Sequence, residues 1–211
     1  MSELILTPEK LYYLGTLLQA KYIDYAYIAA MDDVAQNYSL FEKEACTELV
    51  KAGVLIEDFS GNTEIKGVYR DILSPVFFGE TETSIDICNV KEGNKVSIKK
   101  FHHHDGKTTM VQGKDKELIL SSADSDSIKS EIEAVLAEDY SCEDNKVIDK
   151  LENDKITRVI AVKRNELRKK NVVKLLVEYD GIIYDDNAKK ISGLRKEQFT
   201  DLVYSIVKEA D

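Results

Sequence analysis

The chain has 211 residues, of which 43% are hydrophobic and 32% are charged, and these values predict a folded protein with its own core. No apolar run has the length of a membrane span, because the longest, Tyr22 to Met31, contains Asp24; we therefore expect no membrane insertion. The start Met-Ser-Glu-Leu lacks the pattern of a signal peptide, and three widely spaced cysteines argue against a disulfide framework. We expect a cytoplasmic protein.

The net charge of −10 is unevenly distributed along the chain. Residues 1–155 carry 17 Lys and Arg against 30 Asp and Glu, whereas residues 156–211 carry 12 against 9. The acidic front repels nucleic acids and anionic lipids. We therefore expect no nucleic acid among the partners.

The first 78 residues predict a helical head. Thr7-Pro8-Glu9 is a helix start, because Thr caps, Pro fits the first helical position and Glu suits the positive end of the helix dipole. A second helical pattern covers residues 22–38, and a third helix starts with the capping-box spacing of Ser39 and Glu42 and stops at Gly53. Residues 54–65 then predict a small β-wing, and residues 67–78 a short helix broken near Pro75.

From Thr81 the apolar residues alternate, which is typical of β-strands. Four strands follow in residues 83–121, with an Asp105-Gly106 hairpin signal between the second and the third. A helix over residues 125–139 closes this part, and the polar, acidic residues 140–154 form a connector. The pattern then recurs as strands at 156–163, 172–179 and 182–184, and a helix at about 195–210.

The second half of the chain therefore looks like two copies of a strand–strand–helix unit. At an offset of 71, residues from Leu120 to Glu138 match residues from Ile191 to Glu209, and at an offset of 75 Asp105-Gly106 matches Asp180-Gly181. We predict an α+β fold in which a helical head precedes two pseudo-repeated units of antiparallel sheet plus helix. Such a scaffold presents surfaces to a partner rather than a pocket to a substrate.

Neither catalysis nor metal binding is indicated. His102, His103 and His104 are the only histidines, and neighbours on a strand point to opposite faces, so we interpret them as a solvated strand end and predict no metal. No nucleophile–base pair, phosphate loop or dinucleotide motif is present, so we expect no enzyme and no cofactor.

Two segments invite a binding interpretation. Residues 40–66 resemble a winged helix, but they hold six acidic residues against Lys43, Lys51 and Lys66, so a packing or protein-binding role is favoured over DNA binding. The basic turn at residues 163–170 is either a solvated hairpin that protects a sheet edge or a dock for an acidic partner.

The order of these elements resembles the EspG-like chaperones of type VII (ESX) secretion systems. The residues that carry the resemblance are Leu6-Thr7-Pro8-Glu9, the helix and wing from Phe41 to Leu55, and the four-strand meander that closes at Leu118-Ile119-Leu120 before an Asp-rich helix start. The resemblance implies one EspG-like domain over residues 1–211. Its subregions would be a head at 1–78, a first meander plus helix at 79–139, a connector at 140–155 and a second meander plus helix at 156–211.

The resemblance implies a cytoplasmic, non-enzymatic chaperone that keeps a helical secretion substrate soluble and targets it for export. The Lys- and Ile-rich, Pro-poor composition points to a Firmicute-type member. An LXG-type toxin or a WXG-like protein would then be the substrate instead of the PE/PPE pairs of mycobacteria. The secretion ATPase machinery is a further candidate partner.

Two departures from the family limit what the resemblance implies. The loop at residues 104–107 is too short to reach far, and the second helical region is contracted to 139–155. We take the substrate-binding residues from that loop and from the basic turn: His104, Asp105, Lys107, Arg164, Arg168 and Lys169.

Two other functions compete with the chaperone. The protein could be a winged-helix DNA-binding regulator, for which salt-dependent DNA retardation is the test. It could also be a cytosolic immunity protein, which would bind the C-terminal domain of a toxin, whereas a chaperone would bind the N-terminal secretion domain.

Overall fold

The structure is a computed structural model that describes residues 3–29, 31, 38–142, 146–166, 171–187 and 190–208. It combines helices with antiparallel sheet, so the predicted α+β class is confirmed. The chain divides into two compact units: unit 1 comprises residues 1–80 and 102–122, and unit 2 comprises residues 81–101 and 123–211. The first meander therefore contributes strands to both units.

Unit 1 contains the helical head and two strands of the first meander. Its elements are β1 (Glu3–Leu6), α1 (Pro8–Leu17), α2 (Tyr25–Ile28), α3 (Tyr38–Lys51), β2 (Leu55–Glu57), β3 (Thr63–Ile65), α4 (Gly67–Phe78), β6 (Lys107–Lys114) and β7 (Glu117–Ser122). Strands β1, β7 and β6 are neighbours in that order, and β2 pairs with β3 in a separate hairpin. Side chains from the helices and from these strands form one apolar core, which includes Leu11, Leu14, Leu73, Phe77 and Leu120.

The predicted helix start at Thr7 is confirmed. Its hydroxyl accepts a hydrogen bond from the backbone N–H of Lys10 at 3.4 Å, and Pro8 is the first helical residue. The second helical prediction, residues 22–38, was too long where the structure describes it. Asp24 caps the short α2 by accepting from the N–H of Ala26, so residues 22–24 precede the helix; residues 30 and 32–37 lie outside the described residues.

The helix and hairpin that follow agree with the predicted element order, with two differences in detail. Helix α3 begins at Tyr38, so Ser39 lies in its first turn instead of capping it. The predicted break at Pro75 was wrong, because α4 continues through Pro75 to Phe78 and the N–H of Gly79 bonds to the carbonyl of Pro75. Burial of neighbouring apolar side chains on α4 offsets the backbone hydrogen bond that a proline removes.

Strand β1 was not predicted from the sequence. It pairs antiparallel with β7, so Leu4 lies opposite Leu120 and Leu6 opposite Leu118, and its side chains alternate between exposed and buried. Four residues beside a strong helix start carry too little alternation to be recognised as a strand.

Unit 2 contains a large antiparallel sheet and two helices. Its strands are β4 (Thr81–Asn89), the first part of β5 (Asn94–His104), β8 (Val147–Ile148), β9 (Ile156–Glu166), β10 (Val172–Tyr179), β11 (Ile182–Asn187) and β12 (Lys190–Gly193). They lie in the order β5–β4–β9–β10–β11–β12–β8. The helices are α5 (Ser125–Glu133), which ends before the predicted residue 139, and α6 (Lys196–Val207). No helix among the described residues of either unit is long and apolar enough to cross a membrane.

One face of this sheet is covered by α5 and α6, which pack against each other, and α6 also packs on β4 and β9. The fully or nearly fully buried side chains that meet there come from both helices and from four strands: Ile85, Ile87, Ile128, Ile132, Ile160, Val162, Leu176, Ile183, Phe199 and Val203. This layer forms the core of unit 2.

The two stretches in which the sequence predicts a repeat have the same element order, four strands and then a helix. Helices α5 and α6 begin at Ser125 and Lys196, which are 71 residues apart, the offset seen in the sequence. The Asp105-Gly106 and Asp180-Gly181 turns both have positive φ at both positions, as two-residue hairpins require.

Candidate protein-binding surface

The sheet of unit 2 has a second face that its helices do not cover. Residues directly opposite each other on paired strands share a face, so the registers place Leu175 beside Ala161 and Asp86, and Val177 beside Val159. We call this surface the open face and define it by residues from three adjacent strands: Asp86, Cys88, Val159, Ala161, Lys163, Val173, Leu175 and Val177. Within it Val173 and Leu175 are 57% and 55% exposed.

The open face is apolar along β10 and carries an ion pair between β9 and β4. Lys163 Nζ and the Asp86 carboxylate form an ion pair with a distance of 2.7 Å, and the lysine side chain remains 42% exposed. Because both charges are paired with each other, they leave the neighbouring apolar side chains as the part of this face that gains most from being covered.

The same face is already covered further along by the chain itself. Beyond Val177 this face continues to three buried side chains, Tyr179, Ile182 and Tyr184. Apolar side chains of the connector pack against them: Cys142, Ile148 and Leu151. The Tyr140 hydroxyl fixes the connector by donating to the carbonyl of Leu194 and accepting from the N–H of Ile183. Burial raises the pKa of Tyr140, so its hydroxyl keeps the proton that it donates.

Strand β10 turns its two charged side chains toward the helices and three apolar side chains toward the open face. The alternation of Val173, Leu175 and Val177 with Lys174 and Glu178 is typical of a strand with its apolar side buried and its charged side in water. In the structure Lys174 and Glu178 lie with the fully buried Leu176 on the helix-covered side, where each charge forms an ion pair, and Val173, Leu175 and Val177 form the open face.

Those ion pairs explain how the charges are accommodated. Lys174 Nζ is 2.6 Å from the Asp185 carboxylate, and the Arg158 guanidinium binds the Glu178 carboxylate and also donates to the carbonyl of Val135. A charged group in a partly buried place is tolerated when it is paired and hydrogen-bonded. Val173 and Leu175 are thereby left facing water, which makes the open face a candidate binding surface.

Three of the predicted binding residues lie on the β5–β6 hairpin of unit 1. Asp105 is at the exposed turn, and Lys107 Nζ forms a 2.7 Å ion pair with Asp71 on α4. His104 packs its ring near Phe78, with Nε2 3.5 Å from the Asp105 carboxylate. The turn has two residues, so the loop is as short as the sequence predicts.

The other three predicted residues belong to the basic turn. Arg164 is buried, at 8% exposed; its guanidinium donates to the carbonyl of Lys208 and pairs with the Glu166 carboxylate 2.8 Å away. A partner could therefore reach little of this side chain. Arg168 and Lys169 lie outside the described residues.

The interpretation of the histidines as a solvated strand end was wrong. His102 and His103 are buried on opposite sides of β5: His102 Nε2 is hydrogen-bonded to the Tyr27 hydroxyl at 2.6 Å, and His103 Nδ1 to the Thr108 hydroxyl at 3.0 Å. Helix α2 supplies the partner of His102 from a distant part of the chain, whereas Thr108 lies across the β5–β6 hairpin from His103. Within the described part of the chain, no group of three His, Cys, Asp or Glu residues could hold a metal ion.

Helices on one sheet face, a second face left partly open and a helical head define the class of this protein as an α+β fold. Among solved structures, the chain is similar to the Mycobacterium tuberculosis type VII secretion system chaperone EspG5, which was solved in complex with a PE25–PPE41 dimer. The match has a TM-score of 0.60 and covers 98% of this chain and 94% of that chain, at 8% sequence identity. No protein-family model and no curated protein sequence matches. At this identity the match concerns the fold alone, and it confirms the fold that the resemblance implies.

Proposed function

We propose that this protein is a non-catalytic chaperone of a type VII secretion system that binds a helical secretion substrate. The observation that carries the proposal is the agreement in fold with a type VII secretion chaperone over nearly the whole of both chains. That neighbour forms a complex with a PE25–PPE41 dimer. By extension, this chain would bind a secreted protein of similar, helical kind.

The open face is the surface that we assign to the substrate. Its three exposed or half-buried residues on β10 span about 13 Å along the strand, and three adjacent strands span about 10 Å. These dimensions fit the apolar stripe of one α-helix, whose diameter with side chains is about 10–12 Å. A helix with apolar residues at i, i+3, i+4 and i+7 would cover Val173, Leu175 and Val177.

The mechanism follows from this assignment. A free substrate helix exposes its apolar stripe and associates with other copies, and the open face removes that stripe from water. The patch is smaller than a whole interface of about 800 Å² per partner, so it forms the apolar centre of a wider contact. The net charge of −10 keeps the complex soluble in the cytoplasm, where we place the protein.

The finer features of the proposal come from the sequence. We propose a Firmicute-type member whose substrate is an LXG-type toxin or a WXG-like protein, with the secretion ATPase machinery as a second partner. We also propose that the two four-strand-and-helix stretches are pseudo-two-fold copies of one unit, which the shared offset of 71 between their helices supports.

Co-expression with truncated substrates tests the proposal. The chain is co-expressed with the N-terminal helical domain or with the C-terminal domain of a candidate toxin, and complexes are measured by size-exclusion chromatography with light scattering. A chaperone forms a defined complex with the N-terminal domain. A complex with the C-terminal domain alone would identify an immunity protein, and retardation of DNA at physiological salt would identify a regulator.

A further inference from the structure

The β2–β3 hairpin of unit 1 carries an aromatic side chain that the fold leaves fully exposed to water. Phe59 lies at the tip and is 113% exposed, more than in an extended reference chain, and Ile56 on the adjoining strand is 54% exposed. A phenylalanine held wholly in water contributes nothing to the core. It is the residue type that anchors protein interfaces by filling a pocket.

The tip is held in one conformation before any partner arrives. The Asp58 carboxylate accepts from the N–H of Ser60 at 2.8 Å, and from the N–H and the side-chain amide of Asn62 at 2.9 and 3.1 Å. Gly61 has a φ of +81°, and its N–H bonds to the carbonyl of Asp58 at 3.1 Å. A loop that is already ordered loses little conformational entropy on binding, so Phe59 is presented at low cost.

The surroundings of Phe59 are acidic. Glu57, Asp58 and Glu64 are exposed in the same hairpin, and residues 56–64 contain no Lys or Arg; the Arg70 guanidinium is 3.9 Å from Glu64. The hydrogen bond from the Asn62 side chain, followed by backbone hydrogen bonds, lowers the pKa of Asp58 and keeps its carboxylate charged at neutral pH. Negative charge around an apolar projection opposes phosphate-bearing surfaces and favours a basic one.

We propose that this wing tip, residues 56–64, inserts Phe59 into an apolar pocket bordered by Lys or Arg on a protein partner. Because the tip is convex, a complementary site is concave. Because the tip carries three carboxylates, cations at the rim of that site would complement its charge. This contact lies on unit 1 and involves none of the residues of the open face. It therefore goes beyond the proposed function and does not depend on it.

Site-specific photo-crosslinking in cells that produce this protein tests the proposal. The photoreactive analogue p-benzoylphenylalanine replaces Phe59 in the full chain, and the matched control carries it at Ile5, which is 52% exposed on β1 of the same unit. Illumination should give one adduct from position 59 and none from position 5. The crosslinked peptide of the partner, identified by mass spectrometry, should lie beside Lys or Arg residues.

Charge removal decides whether such an adduct reflects the proposed contact. In the E57Q/E64Q variant, and separately in high salt, the adduct yield should fall at least several-fold. With the purified partner, F59S should weaken binding about 30-fold, the effect of losing an interface anchor, at an unchanged urea midpoint. No adduct above the Ile5 control, an adduct with a second copy of this chain, or a yield indifferent to charge and salt would each overturn the proposal. Loss of substrate binding by open-face variants with the adduct retained would separate the two functions.

Discussion

Replacing Leu175 by Asp should weaken substrate binding at the open face more than about 100-fold while leaving the fold intact. Leu175 is 55% exposed, so a bound helix would bury roughly half of a leucine side chain, which is worth about 1–1.5 kcal/mol. The introduced carboxylate would in addition be covered without a cation of its own, because Lys163 is already paired with Asp86. An uncompensated charge of this kind costs about 2 kcal/mol or more.

Together these effects predict a loss of at least 3 kcal/mol, or more than about 100-fold in Kd, measured by isothermal titration calorimetry with the co-purified substrate. The matched control is V147D. Val147 is 49% exposed in the same sheet. Its neighbour Ile148 packs on the face that carries Tyr184, so Val147 lies on the opposite face and outside the open face. L175D and V147D should each lower Tm by a few degrees at most, because β-propensity differences between residue types span about 1 kcal/mol. Binding by L175D within threefold of the unmodified protein would refute the assignment of the open face.

Three predictions concern the head of the molecule. Tyr27→Phe removes the hydroxyl that bonds to buried His102 and should lower the free energy of unfolding by about 1–3 kcal/mol in urea titrations; an unchanged midpoint would show that this hydrogen bond is not formed. Gly79→Ala places a methyl group 2.4 Å from the carbonyl oxygen of Pro75 and should lower Tm strongly. Gly67 has open space around it, so Gly67→Ala should leave Tm nearly unchanged. Equal changes in Tm for the two variants would contradict the close approach of Gly79 to Pro75. Burial, and then Cys46, raise the pKa of Tyr13 to about 12. The unfolded chain therefore loses this proton near pH 10 while the folded chain keeps it, and stability should fall between about pH 10 and pH 12, less so in Tyr13→Phe, as followed by urea midpoints across that range.

Local patterns in the sequence were sufficient for most elements. The cap at Thr7, the two Asp-Gly turns and the alternation within β9 and β10 each depend on interactions between residues close in the chain, so they can be recognised without the fold. The break at Pro75 was a wrong prediction for the same reason. A proline penalty is local, whereas the packing of Val76 and Phe77 that offsets it is not.

The candidate site was not found from the sequence, because the predicted binding residues came from the loop that the resemblance implies and from the basic turn. The basic turn included Arg164, which the structure buries against the carbonyl of Lys208. The histidines were interpreted as a solvated strand end, whereas His102 and His103 are buried. The usable signal was in β10. Val173, Leu175 and Val177 alternate there with Lys174, Leu176 and Glu178, so the strand has one wholly apolar side.

The sequence by itself determined that β10 has one wholly apolar side and one side on which Lys174 and Glu178 flank Leu176, because side chains on a strand alternate regardless of what surrounds it. Only the tertiary structure decided which side is covered. Helices α5 and α6 pack on the side of Lys174 and Glu178, where Asp185 and Arg158 neutralise those charges, and Leu175 is left in water. The physical reason is that burial of a charge depends on partners from distant parts of the chain, and their positions are set only when the whole sheet has formed.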